Sequence, residues 1–299
     1  MDKLAPIVLF VYNRPEHTRQ TIEYLAKNKL VENSQLFIFS DGPKNEEDSE
    51  KIRLVREIIG NTTGFAGIEI KAREKNVGLA NSVISGINDV LKLYERVIVL
   101  EDDMISSPYF IKYMNDLLEF YEKDKRIFSV TGYTFPIKIP ERYSYDIYLS
   151  TRASSWGWGT WKNRWEGVDW EINDYVNFIQ NKSLVKSFNR GGEDLTKMLI
   201  NQKEGKIDSW SIIWSYNHFK NNAFCVYPVK SKIKNIGADL SGIHTSKTNK
   251  FDVRLDTSDN PVDLVKNIQP DEELLRKFRK FFKKNLLSSA YHKIKGVQL

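Results

Sequence analysis

The first 130 residues alternate between short apolar runs and longer amphipathic segments. Pro6 to Tyr12 is an unbroken apolar run that stops at Asn13-Arg14-Pro15. A run of that length suits a strand buried on both faces. Thr18 to Lys27 then carries helical spacing, with Ile22 and Leu25 turned inward. Leu36 to Phe39 reads as a second strand, stopped by the turn sequence Ser40-Asp41-Gly42-Pro43. Glu46 to Ile59 is helical, with Ile52, Val55, Ile58 and Ile59 on one stripe. Ile68 to Ile70 is a strand, Leu79 to Leu93 a helix, and Val97 to Leu100 a strand that runs straight into Glu101-Asp102-Asp103. Pro108 to Tyr121 reads as a helix and Ile127 to Val130 as a strand.

This alternation predicts an α/β fold built on a mainly parallel, doubly wound sheet with right-handed crossovers and helices on its faces. In open sheets of this kind, ligands bind beyond the carboxyl ends of the strands. That rule selects Tyr12-Asn13-Arg14, Asp41-Gly42, the loop from Arg73 to Gly78, and Glu101-Asp102-Asp103.

Beyond residue 135 the alternation fades. Five of the seven tryptophans fall between Trp156 and Trp170; the others are Trp210 and Trp214. Thr245 to Asn267 is polar and irregular, as in a linker or a flap. Asp271 to Tyr291 has the pattern of a basic amphipathic helix, with Leu274, Leu275, Phe278, Phe281, Phe282 and Leu286 on one face. The expected units are therefore 1–245, split into an alternating half (1–135) and an aromatic-rich half (136–245); a linker or flap over 246–270; and the C-terminal helix over 271–299.

Composition narrows the classes. At 299 residues, 41% hydrophobic and 28% charged, the chain has material for a sizeable core. It has no apolar run of the ~18 residues that a membrane-spanning helix needs, and its early apolar stretch is too short for a signal peptide. A single cysteine, Cys225, excludes an internal disulfide and a thiolate metal site. A cytoplasmic location is the simplest expectation. The net charge is +6, but residues 271–299 hold eight Lys/Arg against three Asp/Glu, so the body is close to neutral. A neutral body argues against a nucleic-acid groove. The basic tail fits either a helix docked on the body or a partner, or one lying in an anionic membrane surface; the second, peripheral contact at the inner face of the cell membrane, is the favoured expectation.

Three adjacent carboxylates at the end of a buried strand repel one another and call for a cation. Mg²⁺ or Mn²⁺ takes oxygen ligands and commonly shares its shell with phosphate oxygens. A solvated, helix-capping turn is the plain alternative. No Walker-type sequence and no Gly-x-Gly-x-x-Gly follows the first strand, which weighs against P-loop hydrolases and dinucleotide oxidoreductases. Asp41 and Arg14 have the chemistry to contact a nucleotide base, or are a turn starter and a surface charge. Trp156-Gly-Trp158-Gly interleaves glycine with indole, so Trp156 or Trp158 is a candidate sugar contact beside plain core packing.

Val8 to Arg14, Phe39-Ser-Asp41, Asn76-Val-Gly-Leu-Ala-Asn81 and Val99-Leu-Glu-Asp-Asp103 resemble, in order and spacing, the nucleotide-sugar glycosyltransferases of the GT-A (Rossmann-like) fold, bacterial family 2-type. The Glu-Asp-Asp form also resembles the N-acetylglucosaminyltransferase I group. The resemblance covers roughly residues 5 to 245. It implies that Arg14 and Asp41 contact the base, with Tyr12, Asn13, Asn76 and Gly78 in the same donor site. Glu101 and Asp102 would face the ribose and donor sugar, and Asp103 would ligate the metal. His244 would complete the metal or diphosphate site, and Asp208, before Trp210, would be the catalytic base. Asp208 also fits a helix N-cap, and Glu193-Asp194 is an alternative acidic pair.

The expected activity is a metal-dependent, inverting transfer of a hexose or N-acetylhexosamine from a nucleotide-diphosphate sugar to a hydroxyl of a glycan or lipid-linked glycan, in surface polysaccharide synthesis. The alternatives are a sugar nucleotidyltransferase and a non-catalytic carbohydrate-binding protein on the same fold.

Overall fold

The structure, a computed structural model, describes residues 4–239 and 248–283. The elements run β1 (Ile7–Val11), α1 (Pro15–Leu25), β2 (Gln35–Ser40), α2 (Glu46–Gly60), β3 (Gly67–Ala72), α3 (Leu79–Leu91), β4 (Arg96–Glu101), β5 (Met104–Ser106), α4 (Phe110–Phe120) and β6 (Ile127–Thr131). They continue β7 (Ile147–Ser150), β8 (Trp158–Trp161), α5 (Lys162–Trp165), α6 (Tyr175–Gln180), α7 (Lys182–Phe188), α8 (Leu195–Lys203), α9 (Trp210–Lys220), β9 (Phe224–Pro228), β10 (Ile233–Asn235) and α10 (Glu272–Phe281).

Eight strands form one sheet in the order β3-β2-β1-β4-β8-β6-β9-β7. β3, β2, β1 and β4 are mutually parallel, β8 lies antiparallel between β4 and β6, β9 is parallel to β6, and β7 closes the edge antiparallel. This is the mainly parallel, helix-flanked α/β sheet that the alternation predicts. Period-two burial explains the apolar runs. Ile7, Leu9 and Val11 face one core layer with Ile22, Leu25, Val55 and the inner face of α4. Val8 and Phe10 face the other, with Val83, Ile87 and Val90 of α3. Helix starts follow local chemistry. Pro15 presets the first turn of α1, and Asn45 caps α2 by accepting the Asp48 N–H at 3.0 Å.

β8 lies in the tryptophan cluster, where the hydrophobic pattern predicts no strand. Gly159 is what lets this strand enter the sheet: a Cβ there would lie 2.8 Å from the Val97 carbonyl oxygen. Gly157, at φ +57°, turns the chain against Ile233 and Phe110. The glycines of this cluster therefore serve backbone packing within the protein.

Residues 248–270 contain no helix or strand and run as a strap across the body. Tyr121 and Tyr133 donate from their hydroxyls to the carbonyls of Val265 and Phe251, both at 2.8 Å. The buried Lys232 ammonium bonds Asp256 at 2.8 Å. α10 follows, capped by Asp271, which accepts from the Glu273 and Leu274 N–H groups. Its apolar face packs inward: Leu274, Leu275, Phe278 and Phe282 are buried, with Phe278 and Phe282 against Phe135. The Arg152 guanidinium lies 3.8 Å from the centre of the Phe282 ring. The expected in-plane membrane helix needs this face free, and over 272–282 the body covers it. No helix among the described residues is long and apolar enough to cross a membrane.

His218 is fully buried on α9. Its Nδ1 donates to the Trp214 carbonyl at 2.9 Å and its Nε2 accepts from the Ser129 hydroxyl at 2.8 Å. Burial pulls its pKa down to about 4. The folded chain thus refuses a proton that the unfolded chain takes below pH ~6.5. Stability should hold above that pH and fall by up to about 3 kcal/mol as pH drops towards 4. Denaturant titrations over this range should lose that part of the slope in a His218→Gln variant. Phe278→Ala should cost about 3–5 kcal/mol of unfolding free energy, as for a core aromatic; a change under ~0.5 kcal/mol, the scale of a surface substitution, would contradict the docked helix.

Candidate functional site

The parallel strands β3, β2, β1 and β4 bring their carboxyl ends to one edge, and every sequence-selected loop lies there. After β1 come Tyr12, Asn13 and Arg14; after β2, Asp41; after β3, the loop to Gly78; and at the end of β4, Glu101 to Asp103.

The acidic tip is held from three sides. The Thr21 hydroxyl on α1 donates to the Asp102 carbonyl at 2.7 Å and accepts the Met104 N–H at 3.0 Å. β5 then pairs with β10, which brings the Ile236 N–H to the Asp103 carbonyl at 2.9 Å. Gly237 lies against both the Asp103 carboxylate and Arg14; a Cβ there would collide with Asp103 Oδ2 and stand 2.9 Å from Arg14 Nη1. His17 on α1 pairs with Asp239 at 3.2 Å.

Among the described residues one guanidinium is bonded to this tip, and His17 adds a weaker pull on Asp102. Arg14 Nη2 donates to Asp102 Oδ1 and, at 3.1 Å, to Asp103 Oδ2. Asp102 and Asp103 are buried. Three carboxyl groups thus share a single guanidinium. Two unit charges ~4 Å apart at an effective dielectric of ~20 interact by about 4 kcal/mol, so one arginine leaves the set under-neutralised. Titration reflects this. Burial, then Asp103 and Asp102, push the Glu101 carboxyl up to about 8, against the pull of Arg14. Burial also raises Asp102, with Arg14 opposing. Burial works against the Arg14 charge, but Asp102 and Asp103 hold its pKa above the ordinary value. Asp103 Oδ1 is buried and has no hydrogen-bond partner, and Asp103 as a whole is 5% exposed. A divalent cation with oxygen ligands fits that orphaned oxygen and the excess negative charge. Among the described residues no cluster of three or more His, Cys, Asp or Glu side chains is arranged to hold a metal ion, so water and ligand oxygens would have to complete any shell. His244 lies outside the described residues.

Other candidates are tied into the scaffold. Asp41 accepts the Gly42 N–H at 3.0 Å and the Val77 N–H at 3.1 and 3.2 Å. Asn76 donates to the Gly42 carbonyl at 3.0 Å and accepts the Gly78 N–H. Together they zip the loops after β2 and β3. Tyr12 and Asn13 donate to Asp48 at 2.8 and 2.7 Å. Burial, with the Asp48 bond second, raises the Tyr12 hydroxyl to about 12. Sequence reading missed Asp48, whose only signal was its place in the first turn of α2.

Asp208 is exposed and accepts the Ala80 N–H at 3.3 Å, at the start of α3 and beside Gly78. It thus caps α3 rather than its own helix α9, where Ser209 holds the N-cap position. Gly78, at φ +83°, permits this approach, with Asp208 Oδ2 3.1 Å from where its Cβ would be. The alternative pair is occupied: Asp194 is held by both Arg152 amino groups at 2.8 and 3.0 Å, and Glu193 pairs with Arg279 of α10 at 3.3 Å.

The indoles divide. Trp158 has no exposed surface and packs among Trp165, Trp210 and Trp214. This corrects the expected sugar contact at Trp158, since a ring enclosed by three others offers no face to a ligand. Trp156 is half-buried, packed on Tyr133 and on Phe251 of the strap. A groove of about 470 Å³ between α7 and α10, lined by Lys182, Lys186, Glu193 and Arg279 among others, is not part of the acidic tip.

No protein-family model matches the chain. No curated protein matches it either. Among solved structures, it is similar to S. aureus TarS (12% identity, TM-score 0.41, 78% of this chain and 37% of that one). It is also similar to a mannosyltransferase from Pyrobaculum calidifontis in complex with GDP-Man and Mn²⁺ (10% identity, TM-score 0.30, 44% and 36%). A third is described as a glucose-1-phosphate thymidylyltransferase from Bacillus anthracis in complex with sucrose (11% identity, TM-score 0.42, 79% and 92%). The chain spans little more than a third of the first two.

Gly237→Ala should lower stability by about 1–3 kcal/mol, as overpacking does. Gly60→Ala at the open end of α2, where a Cβ meets nothing within 4 Å, should raise it by about 0.5–1 kcal/mol. Parallel thermal melts of the two variants check the closeness of Gly237 to the Arg14–Asp103 pair.

Proposed function

We propose that this chain is a divalent-metal-dependent glycosyltransferase of the GT-A type. It would move a hexosyl or N-acetylhexosaminyl group from a nucleotide-diphosphate sugar to a hydroxyl of a glycan or lipid-linked glycan, with inversion. The observation that carries this reading is the under-neutralised acidic end of β4, where Asp103 keeps a buried carboxylate oxygen without a partner. Its position at the carboxyl edge of a parallel sheet is where nucleotide ligands bind in open α/β folds.

In this reading Asp103 would hold the metal, which would supply positive charge for a departing diphosphate. Glu101 and Asp102 face ribose and sugar. Arg14 supplies a second positive charge. Tyr12, Asn13, Asp41, Asn76 and Gly78 form the base and ribose side, mainly as the hydrogen-bonded frame described above. Asp208 takes the proton of the acceptor hydroxyl as its oxygen bonds the anomeric carbon and the carbon–phosphate-oxygen bond breaks. Its freedom from ion pairs among the described residues supports that role over Glu193 or Asp194. Trp156 lies on the acceptor side. The organisation we propose is a transferase domain over 1–245, in two halves, with the strap and C-terminal helix packed on it.

A thermal-shift screen of nucleoside diphosphates and nucleotide sugars, with and without Mn²⁺, tests the class, since a ligand of the folded state raises its stability. The wild type should shift with one donor only when Mn²⁺ is present, and Asp103→Ala should abolish that shift. Asp208→Asn should keep the shift and lose transfer by about 10²–10⁴-fold. Release of pyrophosphate from a nucleoside triphosphate would instead identify a nucleotidyltransferase. Glycan binding with no nucleotide affinity would identify a binding protein.

A further inference from the structure

The acidic tip already contains a cation of its own. Arg14 reaches across β1 to β4 and places one nitrogen between Asp102 Oδ1 and Asp103 Oδ2. The arrangement is enclosed. Gly237 closes over the pair, with no room for a side chain, and the Ile236 N–H fixes the Asp103 backbone beneath it. The side chain of Arg14 is 15% exposed and those of Asp102 and Asp103 are 6% and 7% exposed. A guanidinium in this position offsets part of the charge that would otherwise attract a divalent ion. It also occupies Asp103 Oδ2, leaving only Oδ1 open.

We propose that Arg14 is a resident counter-cation that keeps the metal site weak until a nucleotide diphosphate arrives, so that metal and nucleotide load together. This rests on the transferase reading above. The driving force is an exchange of partners. Guanidinium bonds phosphate oxygens as a planar fork, at least as well as it bonds carboxylates. A diphosphate at the edge of β1 and β4 gives Arg14 a new anion, and Asp103 is released to the metal with both oxygens. The metal gains phosphate oxygens at the same moment, which suits an ion that prefers a mixed shell. Coupling of this kind is reciprocal: nucleotide tightens metal by the same factor that metal tightens nucleotide. Arg14 is a positioning residue in this scheme, acting on the metal through Asp103.

The test is Mn²⁺ binding, read as loss of the free-ion paramagnetic resonance signal. The full chain is titrated alone and with saturating UDP, GDP, CDP or dTDP, each corrected by a nucleotide-only blank. Wild type should bind Mn²⁺ weakly alone and about 10–100-fold more tightly with the matching nucleotide. Arg14→Met should bind Mn²⁺ alone at least about tenfold more tightly than wild type, with most of the nucleotide effect gone. Arg14→Lys keeps a charge but lacks the planar fork that bonds phosphate oxygens, and should fall between them; it serves where the methionine variant does not fold. If Mn²⁺ binds the wild type and both variants equally without nucleotide, the counter-cation proposal is overturned and the transferase reading stands. If Mn²⁺ binds none of them, with or without any nucleotide, the metal-dependent reading itself falls.

Discussion

The contact between Arg14 and the two aspartates at the end of β4 is the constraint around which the candidate site is arranged. A buried strand that ends in three carboxyl groups is stable only if something positive is near. The chain supplies one guanidinium from the turn between β1 and α1, and no second one bonded there within the described residues. The rest of the edge follows from holding that pair in place. Thr21 pins the backbone of the tip, β10 pairs beside it, and Gly237 is small because any side chain there would strike the carboxylate. The cost of leaving Asp103 Oδ1 without a partner, about 1–3 kcal/mol for a buried polar group, is the kind of local penalty that binding sites retain.

The loops at the carboxyl ends of β1, β2 and β3 form a connected frame rather than separate contacts. Asp41 spans to Val77, Asn76 spans back to Gly42, and Asp48 gathers Tyr12 and Asn13. The Asp208 carboxylate is linked to the same frame through the first turn of α3. A helix N-terminus favours a negative charge, and this carboxylate sits there exposed, in no ion pair with a side chain among the described residues. Asp194, fixed between both amino groups of Arg152, is placed for structure.

Much of this was legible in the chain. The strands and helices up to β6 follow from apolar runs and helical stripes because their partners are local or buried on both faces. The carboxyl-edge rule selected the loops of the site from that order alone. β8 was not legible. Its one glycine, Gly159, is a poor strand former, and its place between β4 and β6 depends on residues about 60 and 30 positions away in the chain. The same holds for the glycines of the tryptophan cluster, which admit neighbouring backbone and side chains. The strap was opaque for a related reason: Phe251, Val253, Val262, Leu264 and Val265 pack on distant elements and carry no period of their own. α10 was visible as an amphipathic helix, but periodicity gives no sign of what covers an apolar face, and here the body covers it.

The central claim is that the end of β4 is a cation site completed by a nucleotide. Anomalous diffraction from Mn²⁺, in crystals grown with the nucleoside diphosphate that stabilises the protein, tests it most directly. The account predicts a single strong peak bonded to the Asp103 carboxylate and the diphosphate, with the Arg14 guanidinium turned onto phosphate oxygens. A bound nucleotide with no peak there, and Arg14 still joined to Asp102 and Asp103, would contradict it.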